Sequence, residues 1–152
     1  MTNNKVTVLI PTFNRAAFLV DSIQSILAQT WPVDKIIVIN DGSTDDTLEV
    51  LKAYEGRIEV LSKPNGGKAS ALNAALAMVS EGLVWIFDDD DLALPGGLEA
   101  LMTLLANDPS ANMAYGRHER FTVDAAGAIR ILGDGYWRDC ESDEFLAATL
   151  ED

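Results

Sequence analysis

Short apolar runs alternate along the chain with segments in which apolar residues recur every three or four positions. The first run, Val6–Ile10, is rich in β-branched residues and lacks in/out alternation, which is typical of a strand buried on both faces. Three later runs predict strands at Lys35–Ile39, Ile58–Leu61 and Leu83–Phe87. Because parallel neighbours need a crossover between them, the alternation predicts an α/β fold, a mostly parallel, doubly wound sheet with helices on both faces.

The segments between the strands have the periodicity of amphipathic helices. Their apolar stripes are Leu19, Ile23, Ile26 and Leu27; Leu48, Leu51 and Tyr54; Leu72, Ala75, Leu76 and Val79; and Leu98, Leu101, Met102 and Leu105. Ser43 and Asp46 have the spacing of a capping box before the second helix, and Gly56 suits its end. Pro95 fits the first position of the fourth helix, which Asn107–Pro109 should end.

The last third of the chain follows a different pattern. Met113–Tyr115 predicts a fifth strand, and Arg120–Val123 with Ala128–Leu132 predicts a β-hairpin. Asp143–Leu150 predicts a last helix.

Composition narrows the function classes. A chain of 152 residues that is 48% hydrophobic suits one domain with a single core. Its net charge of -13 argues against nucleic-acid partners, whose phosphates attract basic surfaces. Cys140 is the only cysteine, which excludes a disulfide framework and a thiolate metal cluster. Without a signal-peptide pattern or a transmembrane segment, a cytoplasmic setting is expected.

Ligands of open α/β sheets bind beyond the carboxyl ends of the strands, and four aspartates, Asp88–Asp91, directly follow the fourth predicted strand. Two carboxylates about 4 Å apart repel by about 4 kcal/mol at an effective dielectric of about 20. This run is either a solvated acidic loop or a site for Mg²⁺ or Mn²⁺. In an extended backbone Asp88 and Asp90 project to the same side and Asp89 faces away, so Asp88 and Asp90 are the expected metal pair.

Other strand ends carry groups suited to a nucleotide. Phe13 can stack on a base, and Arg15 can meet a phosphate. Asp41 can accept the imide N–H of uracil. Lys68 follows two glycines and begins a predicted helix, so a diphosphate contact is plausible there. Each residue also has an ordinary structural explanation, as a core ring, a turn residue or a surface charge.

Taken together, these segments resemble the family 2 inverting glycosyltransferases of GT-A fold, over about Val6 to Leu105. Five motifs in the family's order carry the resemblance: Val8–Arg15, Ser25–Thr30, Ile36–Asp45, Asn65–Gly67 with Ala71–Asn73, and Phe87–Pro95. The resemblance implies a nucleotide-sugar donor, with a UDP-sugar expected, and a saccharide or lipid-linked saccharide as acceptor. It also implies metal-dependent transfer with inversion, of hexosyl or N-acetylhexosaminyl type.

The resemblance implies roles for individual residues. The donor nucleotide would be lined by Pro11, Thr12, Phe13 and Arg15. Asp41 would contact the base, and Asp88 or Asp89 would approach the ribose. Asp90, with Asp88, would hold Mn²⁺ or Mg²⁺ on the diphosphate. Leu72 stands where the family often has arginine, so Lys68 is expected to be the phosphate cation.

The catalytic base is not assigned. In the family it is a carboxylate of the acceptor-binding half, often in a Glu-Asp pair. Glu151 and Asp152 are weak candidates because they stand closer to the acidic run than the resemblance predicts. We therefore expect residues 1–152 to form a single nucleotide-sugar-binding domain that lacks most of the acceptor site. Any membrane association is expected to be peripheral, through a C-terminal part beyond these residues.

Two other function classes fit the acidic run less well. Asp88 and Asp90 nearly match the nucleophile motif of haloacid-dehalogenase-like phosphatases, but Leu92 replaces its hydroxyl residue and no lysine follows Lys68. Asp88, Asp90 and Glu99 match positions 1, 3 and 12 of an EF-hand loop. This match would make the chain a non-enzymatic cation-binding module. An EF-hand loop, however, needs a ligand and a glycine at the positions that Leu92 and Ala93 occupy.

Overall fold

The computed structural model describes residues 5–124 and 128–134, which fall into two compact units that divide after Pro109. In the first unit, strands and helices alternate as the apolar pattern predicts. The elements are β1 (Val6–Thr12), α1 (Ala16–Leu27), β2 (Lys35–Asn40), α2 (Thr47–Lys52), β3 (Glu59–Ser62), α3 (Lys68–Leu76), β4 (Leu83–Ile86) and α4 (Gly97–Asn107). None of the described helices is long and apolar enough to cross a membrane.

The four strands form one parallel sheet in the order β3-β2-β1-β4. Val8 of the central strand β1 lies opposite Ile36 on one side and Trp85 on the other. All seven residues of β1 are buried, because the strand has neighbours on both edges and helices on both faces. The expected α/β class is confirmed.

The helices divide between the two faces of the sheet. On one face, Val8 and Ile10 pack in a cluster with Leu19 and Ile23 of α1 and Leu51 of α2. Leu98 and Met102 of α4 pack with Val6 of β1, whose side chain shares that face. On the other face, α3 packs against Leu9 and Ile37.

Cover is incomplete over β4. Val84 and Ile86, which pair with Thr7 and Leu9 on the α3 face, are 37% and 50% exposed. In the described part of the chain, no helix therefore buries these two residues at this edge of the sheet.

The apolar stripe of α3 differs from the expected one. Its buried residues are Ala71 and Ala75, and Leu76 is 41% exposed. Small side chains let this helix lie close to Leu9 and Ile39 of the sheet, while Leu72 packs at the margin of the cluster. The sequence periodicity predicted that Leu76 is buried, whereas the short distance between α3 and the sheet favours alanine at the buried positions.

The start of α2 also differs. Asp46 occupies the N-cap position and makes no side-chain cap, and the predicted capping box with Ser43 does not form. Instead, Asp45 Oδ1 accepts hydrogen bonds from the amide of Thr47 at 3.1 Å and from its hydroxyl. Thr47 is buried, so Leu48, expected in the core, is 46% exposed.

Helix α4 begins at Gly97, two positions after the predicted Pro95, and ends at Asn107 as predicted. A turn closes first, where the Gly97 amide donates to the Leu94 carbonyl at 2.8 Å. The Leu98 amide then donates at 2.9 Å to the side chain of Gln29, which follows α1 and caps the start of α4.

The second unit contains the predicted hairpin, formed by β5 (Glu119–Val123) and β6 (Ile129–Asp134) in antiparallel pairing. The predicted strand at Met113–Tyr115 is wrong, since these residues have no strand pairing and Met113 is 66% exposed. The predicted helix at Asp143–Leu150 lies outside the described residues.

Candidate active site

A cavity of about 330 Å³ lies where β1, β2 and β4 end. Its size is at the lower end of the range of ligand pockets. Its lining includes every nucleotide or metal candidate named from the sequence: Pro11, Thr12, Phe13, Arg15, Asp41, Lys68, Asp88, Asp89 and Asp90. Asn65, Gly67 and Ala71 complete it. The structure thus brings together residues that are up to 79 positions apart in sequence, from Pro11 to Asp90.

Asn14 joins the ends of β1 and β2. Its side-chain oxygen accepts a hydrogen bond from the Thr44 amide at 2.7 Å, and its own amide donates to Ser43 Oγ at 3.0 Å. Asn14 has φ of 55°, a left-handed conformation that asparagine tolerates better than most residues. This joining role was not predicted from the sequence, although Asn14 stands inside the Val8–Arg15 motif.

Asp41 is buried and accepts hydrogen bonds from three donors. Its carboxylate accepts hydrogen bonds from Lys63 Nζ at 2.5 Å, from the Gly67 amide at 2.7 Å and from the Gly66 amide at 3.1 Å to each oxygen. Burial acts to raise the pKa of Asp41, but Lys63 and the two amides outweigh it and hold the pKa below its ordinary value. Asp41 therefore remains a charged acceptor.

Gly42 permits a close approach next to Asp41. Its φ is 81°, and a Cβ at this position would lie 2.7 Å from the backbone nitrogen of Asn65. A side chain here would push the Asn65–Gly67 loop away from the end of β2. The glycine therefore keeps both walls of the cavity together.

The acidic run forms a turn rather than the extended segment expected, with the Asp91 amide donating to the Asp88 carbonyl at 3.2 Å. Within this turn the Asp88 and Asp90 side chains are 41% and 44% exposed, whereas Asp89 is buried. Burial raises the pKa of Asp89, and the charges of Asp90 and Asp88 act in the same direction.

Thr12 lies beside Asp89 at the end of β1. Its hydroxyl is close enough to act against the rise in the pKa of Asp89, but the two groups do not reach hydrogen-bond geometry. Thr12 Oγ1 is therefore buried without a hydrogen-bond partner among the residues described.

Two cations of the cavity are engaged by acidic side chains. Lys68 Nζ lies 2.6 Å and 2.8 Å from the two oxygens of Asp88, and Arg15 Nη1 lies 3.5 Å from Asp90 Oδ2. Both pairs are about half exposed to solvent, so each ion pair is weak.

Polar side chains of α1, and of Gln29 just after it, hold the acidic turn and the loop that follows. The Ser22 hydroxyl donates to the Asp88 carbonyl at 3.0 Å, and Ser25 Oγ accepts from the Ala93 amide at 3.0 Å. The Gln29 amide group donates to the Leu94 carbonyl at 2.8 Å. These contacts give a structural reason for the Ser25–Thr30 motif, which the sequence alone left without a role.

The residues present fit a hard divalent cation. Within residues 5–124 and 128–134, no three acidic, histidine or cysteine side chains converge on one point. Asp88 and Asp90 supply one or two carboxylates, and Mg²⁺ and Mn²⁺ commonly complete such a set with phosphate oxygens and water. Glu151 and Asp152, the weak candidates for the catalytic base, lie outside the described residues.

The sequence profile described as Glycosyl transferase family 2 matches residues 7–139. The chain belongs to glycosyltransferase family 2. Membership confirms the resemblance and favours it over both alternatives for the acidic run. The EF-hand alternative also disagrees with the structure, because Asp88 follows a strand and Glu99 lies in α4, where it accepts a hydrogen bond from Thr30 at 2.7 Å.

A chondroitin synthase of Pasteurella multocida is 30% identical over 149 residues, which cover 95% of this chain and 15% of that protein. Among solved structures, S. aureus TarS in complex with UDP-GlcNAc has a TM-score of 0.59 and 26% identity, over 68% of this chain and 31% of that one. A mannosyltransferase of Pyrobaculum calidifontis in complex with GDP-Man and Mn²⁺ has a TM-score of 0.60 and 30% identity, over 70% and 33%.

These likenesses confirm the GT-A fold, and both solved structures hold a nucleotide sugar, UDP-GlcNAc in TarS and GDP-Man in the Pyrobaculum enzyme. The chain spans one third or less of the length of these three proteins.

Proposed function

We propose that this family 2 glycosyltransferase binds a UDP-sugar together with Mn²⁺ or Mg²⁺ in the cavity at the strand ends. The sugar, a hexosyl or N-acetylhexosaminyl unit, is transferred with inversion to a hydroxyl of a saccharide or lipid-linked saccharide. The observation that carries the proposal is the convergence of Asp41, Lys68 and the acidic turn on one cavity.

Each wall of the cavity suits one part of the donor. Phe13 is 46% exposed and offers a ring face to the base, and Asp41 offers a carboxylate to its N–H edge. Asp88 and Asp89, which also line the cavity, would accept hydrogen bonds from the ribose hydroxyls. Lys68 opens α3, so its charge and the positive end of the helix act together on a diphosphate.

Charge supports the metal dependence. The cavity has four carboxylates, Asp41 and Asp88–Asp90, against two cations, Arg15 and Lys68. A diphosphate would add further negative charge, so a divalent cation is needed to make binding favourable. Asp90 and Asp88 would hold this cation. When bound, it supplies the positive charge that stabilises the departing nucleoside diphosphate.

The chain's own residues account for the donor half of the reaction. Lys68 and Arg15 assist departure of the diphosphate through charge-assisted hydrogen bonds. Direct displacement also needs a base for the acceptor hydroxyl, and the described residues near the cavity carry other assignments. We therefore propose that residues 1–152 are a nucleotide-sugar-binding domain and that most acceptor-binding groups lie outside the described residues 5–124 and 128–134.

The relatives support the choice of substrates. The UDP-GlcNAc complex of TarS favours UDP over other nucleotides, and the chondroitin synthase favours a saccharide acceptor. The GDP-Man complex of the Pyrobaculum enzyme makes GDP the principal competing donor nucleotide.

Isothermal titration calorimetry with UDP and GDP, each with Mn²⁺ and with a chelator, tests the proposal. We expect UDP to bind more tightly than GDP and the chelator to weaken binding strongly. Asp90→Asn should weaken UDP·Mn²⁺ binding by at least the roughly tenfold that loss of a metal's outer-shell partner costs.

Asp21→Asn is the matched control, because it removes the same charge from an exposed position of α1 outside the cavity lining. Undetectable UDP binding would overturn the proposed donor. UDP binding that is indifferent to both chelator and Asp90→Asn would overturn the role of the acidic turn.

A further inference from the structure

Lys63 stands behind the carboxylate to which we assign base recognition. Its Nζ donates to Asp41 Oδ1 at 2.5 Å and to the Pro64 carbonyl at 2.7 Å. Its backbone amide donates to the Asn40 carbonyl at 3.0 Å, one residue before Asp41. The Lys63 side chain is 20% exposed and the Asp41 side chain 4%. Lys63 is thus fixed at both ends, and it does not belong to the described lining of the cavity.

The donors around Asp41 leave little freedom for its carboxylate. A carboxylate offers about four acceptor positions. Lys63 Nζ and the amides of Gly66 and Gly67 occupy three, with the Gly66 amide shared between both oxygens. About one acceptor position is left for a ligand, and a charged carboxylate has no proton to donate.

Lys63 is the cation that contacts Asp41 in the part of the chain that the structure describes. The two cations that line the cavity pair with other carboxylates, Lys68 with Asp88 and Arg15 with Asp90. The two glycine amides come from the loop before α3 and carry no charge. The charge state of Asp41 therefore depends chiefly on Lys63.

We infer that Lys63 is a positioning residue for donor specificity: it keeps Asp41 an acceptor-only group, so that the site takes bases presenting a ring N–H and rejects bases presenting a ring acceptor. This inference rests on the proposed function. Uracil and guanine present such an N–H at the relevant edge, whereas cytosine and adenine present a bare ring nitrogen. A site built to accept a hydrogen bond discriminates strongly against a ligand that cannot donate one.

The first experiment needs no ligand. NMR of the Asp41 carboxyl carbon follows its titration in the wild-type chain and in Lys63→Met, Lys63→Arg and Lys52→Met. We expect Lys63→Met to raise the titration midpoint by about one pH unit or more, since a neighbouring opposite charge lowers a carboxyl pKa by that amount. Lys63→Arg should largely restore the midpoint. Lys52→Met removes the same charge from an exposed residue of α2 and should leave it unchanged.

The second experiment measures UDP and CDP binding by calorimetry with Mn²⁺ at pH 5.0 and pH 7.5. The wild-type chain should favour UDP over CDP by at least about tenfold at both pH values, as expected for one lost hydrogen bond to a charged group. In Lys63→Met the preference should shrink, and more so at the lower pH, because a raised titration midpoint leaves a larger fraction of Asp41 protonated and able to donate to cytosine. A merely structural defect would weaken both nucleotides alike at both pH values.

The outcomes separate this inference from the proposed function. If wild-type chain binds no UDP, the proposed function fails and the specificity role of Lys63 fails with it. The ligand-free titration still reports whether Lys63 holds the Asp41 carboxylate. If wild-type chain binds UDP but Lys63→Met keeps the same UDP-to-CDP ratio, the inference alone is overturned.

Discussion

Lys68 and Asp88 form a two-pronged ion pair in the free chain, with Nζ at 2.6 Å and 2.8 Å from the two carboxylate oxygens. Both groups are assigned to the donor in the proposed function, Lys68 to the diphosphate and Asp88 to the ribose or the metal. Donor binding therefore requires them to exchange partners. Because the pair is about half exposed, this exchange is inexpensive in water.

Removing the lysine should affect the diphosphate specifically. Lys68→Met is expected to weaken UDP·Mn²⁺ binding by about tenfold, as befits one charge-assisted hydrogen bond, and to leave uridine binding nearly unchanged. Calorimetry with UDP and uridine provides the comparison, and Lys52→Met serves as an exposed-lysine control. Equal losses for UDP and uridine would show that Lys68 supports the cavity as a whole rather than the phosphates.

Gly42 and Gly56 have nearly equal φ angles, so alanine substitutions at the two positions distinguish the cost of backbone strain from the cost of a steric clash. Gly42 has φ of 81° and Gly56 has φ of 80°, but only Gly42 would place a Cβ against backbone, 2.7 Å from Asn65 N. We expect Gly56→Ala to cost about 1 kcal/mol of unfolding free energy from strain, and Gly42→Ala to cost about 2–3 kcal/mol. Urea denaturation measures both. Equal losses would mean that the Asn65 loop yields freely.

UDP binding by the same two variants shows whether the destabilisation reaches the cavity. Gly42→Ala should weaken UDP binding, since the displaced Asn65–Gly67 loop supplies two of the amides on Asp41. Gly56→Ala lies in the turn after α2, outside the cavity lining, and should bind UDP normally. A normal UDP affinity in Gly42→Ala would argue against the loop's part in the site.

Local sequence signals predicted the strands and the polar residues at their carboxyl ends. Val6–Ile10 and Lys35–Ile39 are apolar because neighbours and helices bury them on both sides, and this requirement is visible in composition alone. The parallel order then places polar residues after each strand at one edge of the sheet. For that reason Arg15, Asp41 and Asp88 could be grouped before their positions were known.

Contacts between segments that are distant in sequence could not be predicted from local patterns. The bond from Lys63 to Asp41 spans 22 positions and that from Ser22 to Asp88 spans 66, so neither follows from local spacing. The turn at Asp88–Asp91 and the choice of Ala75 over Leu76 as a core residue depend on packing distances. Apolar content alone also predicted a strand at Met113–Tyr115, which gains no burial in the described structure.

Gln29, two positions after the end of α1, supports the loop after the acidic turn. Its side chain accepts from the Leu98 amide at 2.9 Å and donates to the carbonyls of Leu94 and Ser25. Gln29→Ala should lower the free energy of unfolding by about 1–2 kcal/mol, since it leaves partly buried backbone groups unpaired. Gln24→Ala, which loses one bond from an exposed glutamine within α1, should cost less in urea denaturation. Equal costs would mean that solvent replaces the Gln29 contacts.

Asp45 links the starts of two helices through its carboxylate. Its Oδ2 accepts from the Ala16 amide of α1 at 3.1 Å and its Oδ1 from the Thr47 amide of α2 at 3.1 Å. The Thr47 hydroxyl contributes most to holding the pKa of Asp45 below its ordinary value of 3.8. A lowered pKa means that the folded chain binds the proton less readily than the unfolded chain, so the stability of the two helix starts depends on pH.

The stabilisation from Asp45 is complete above pH 3.8 and is lost as the pH falls through the lower, folded pKa. Asp45→Ala should therefore lower the urea midpoint at pH 7, and its deficit against wild type should shrink toward the acid end of the titration. Asp46→Ala removes a neighbouring aspartate that makes no side-chain cap and should shift neither quantity. A deficit for Asp45→Ala that stays constant with pH would show that the carboxylate charge plays no part in the two caps.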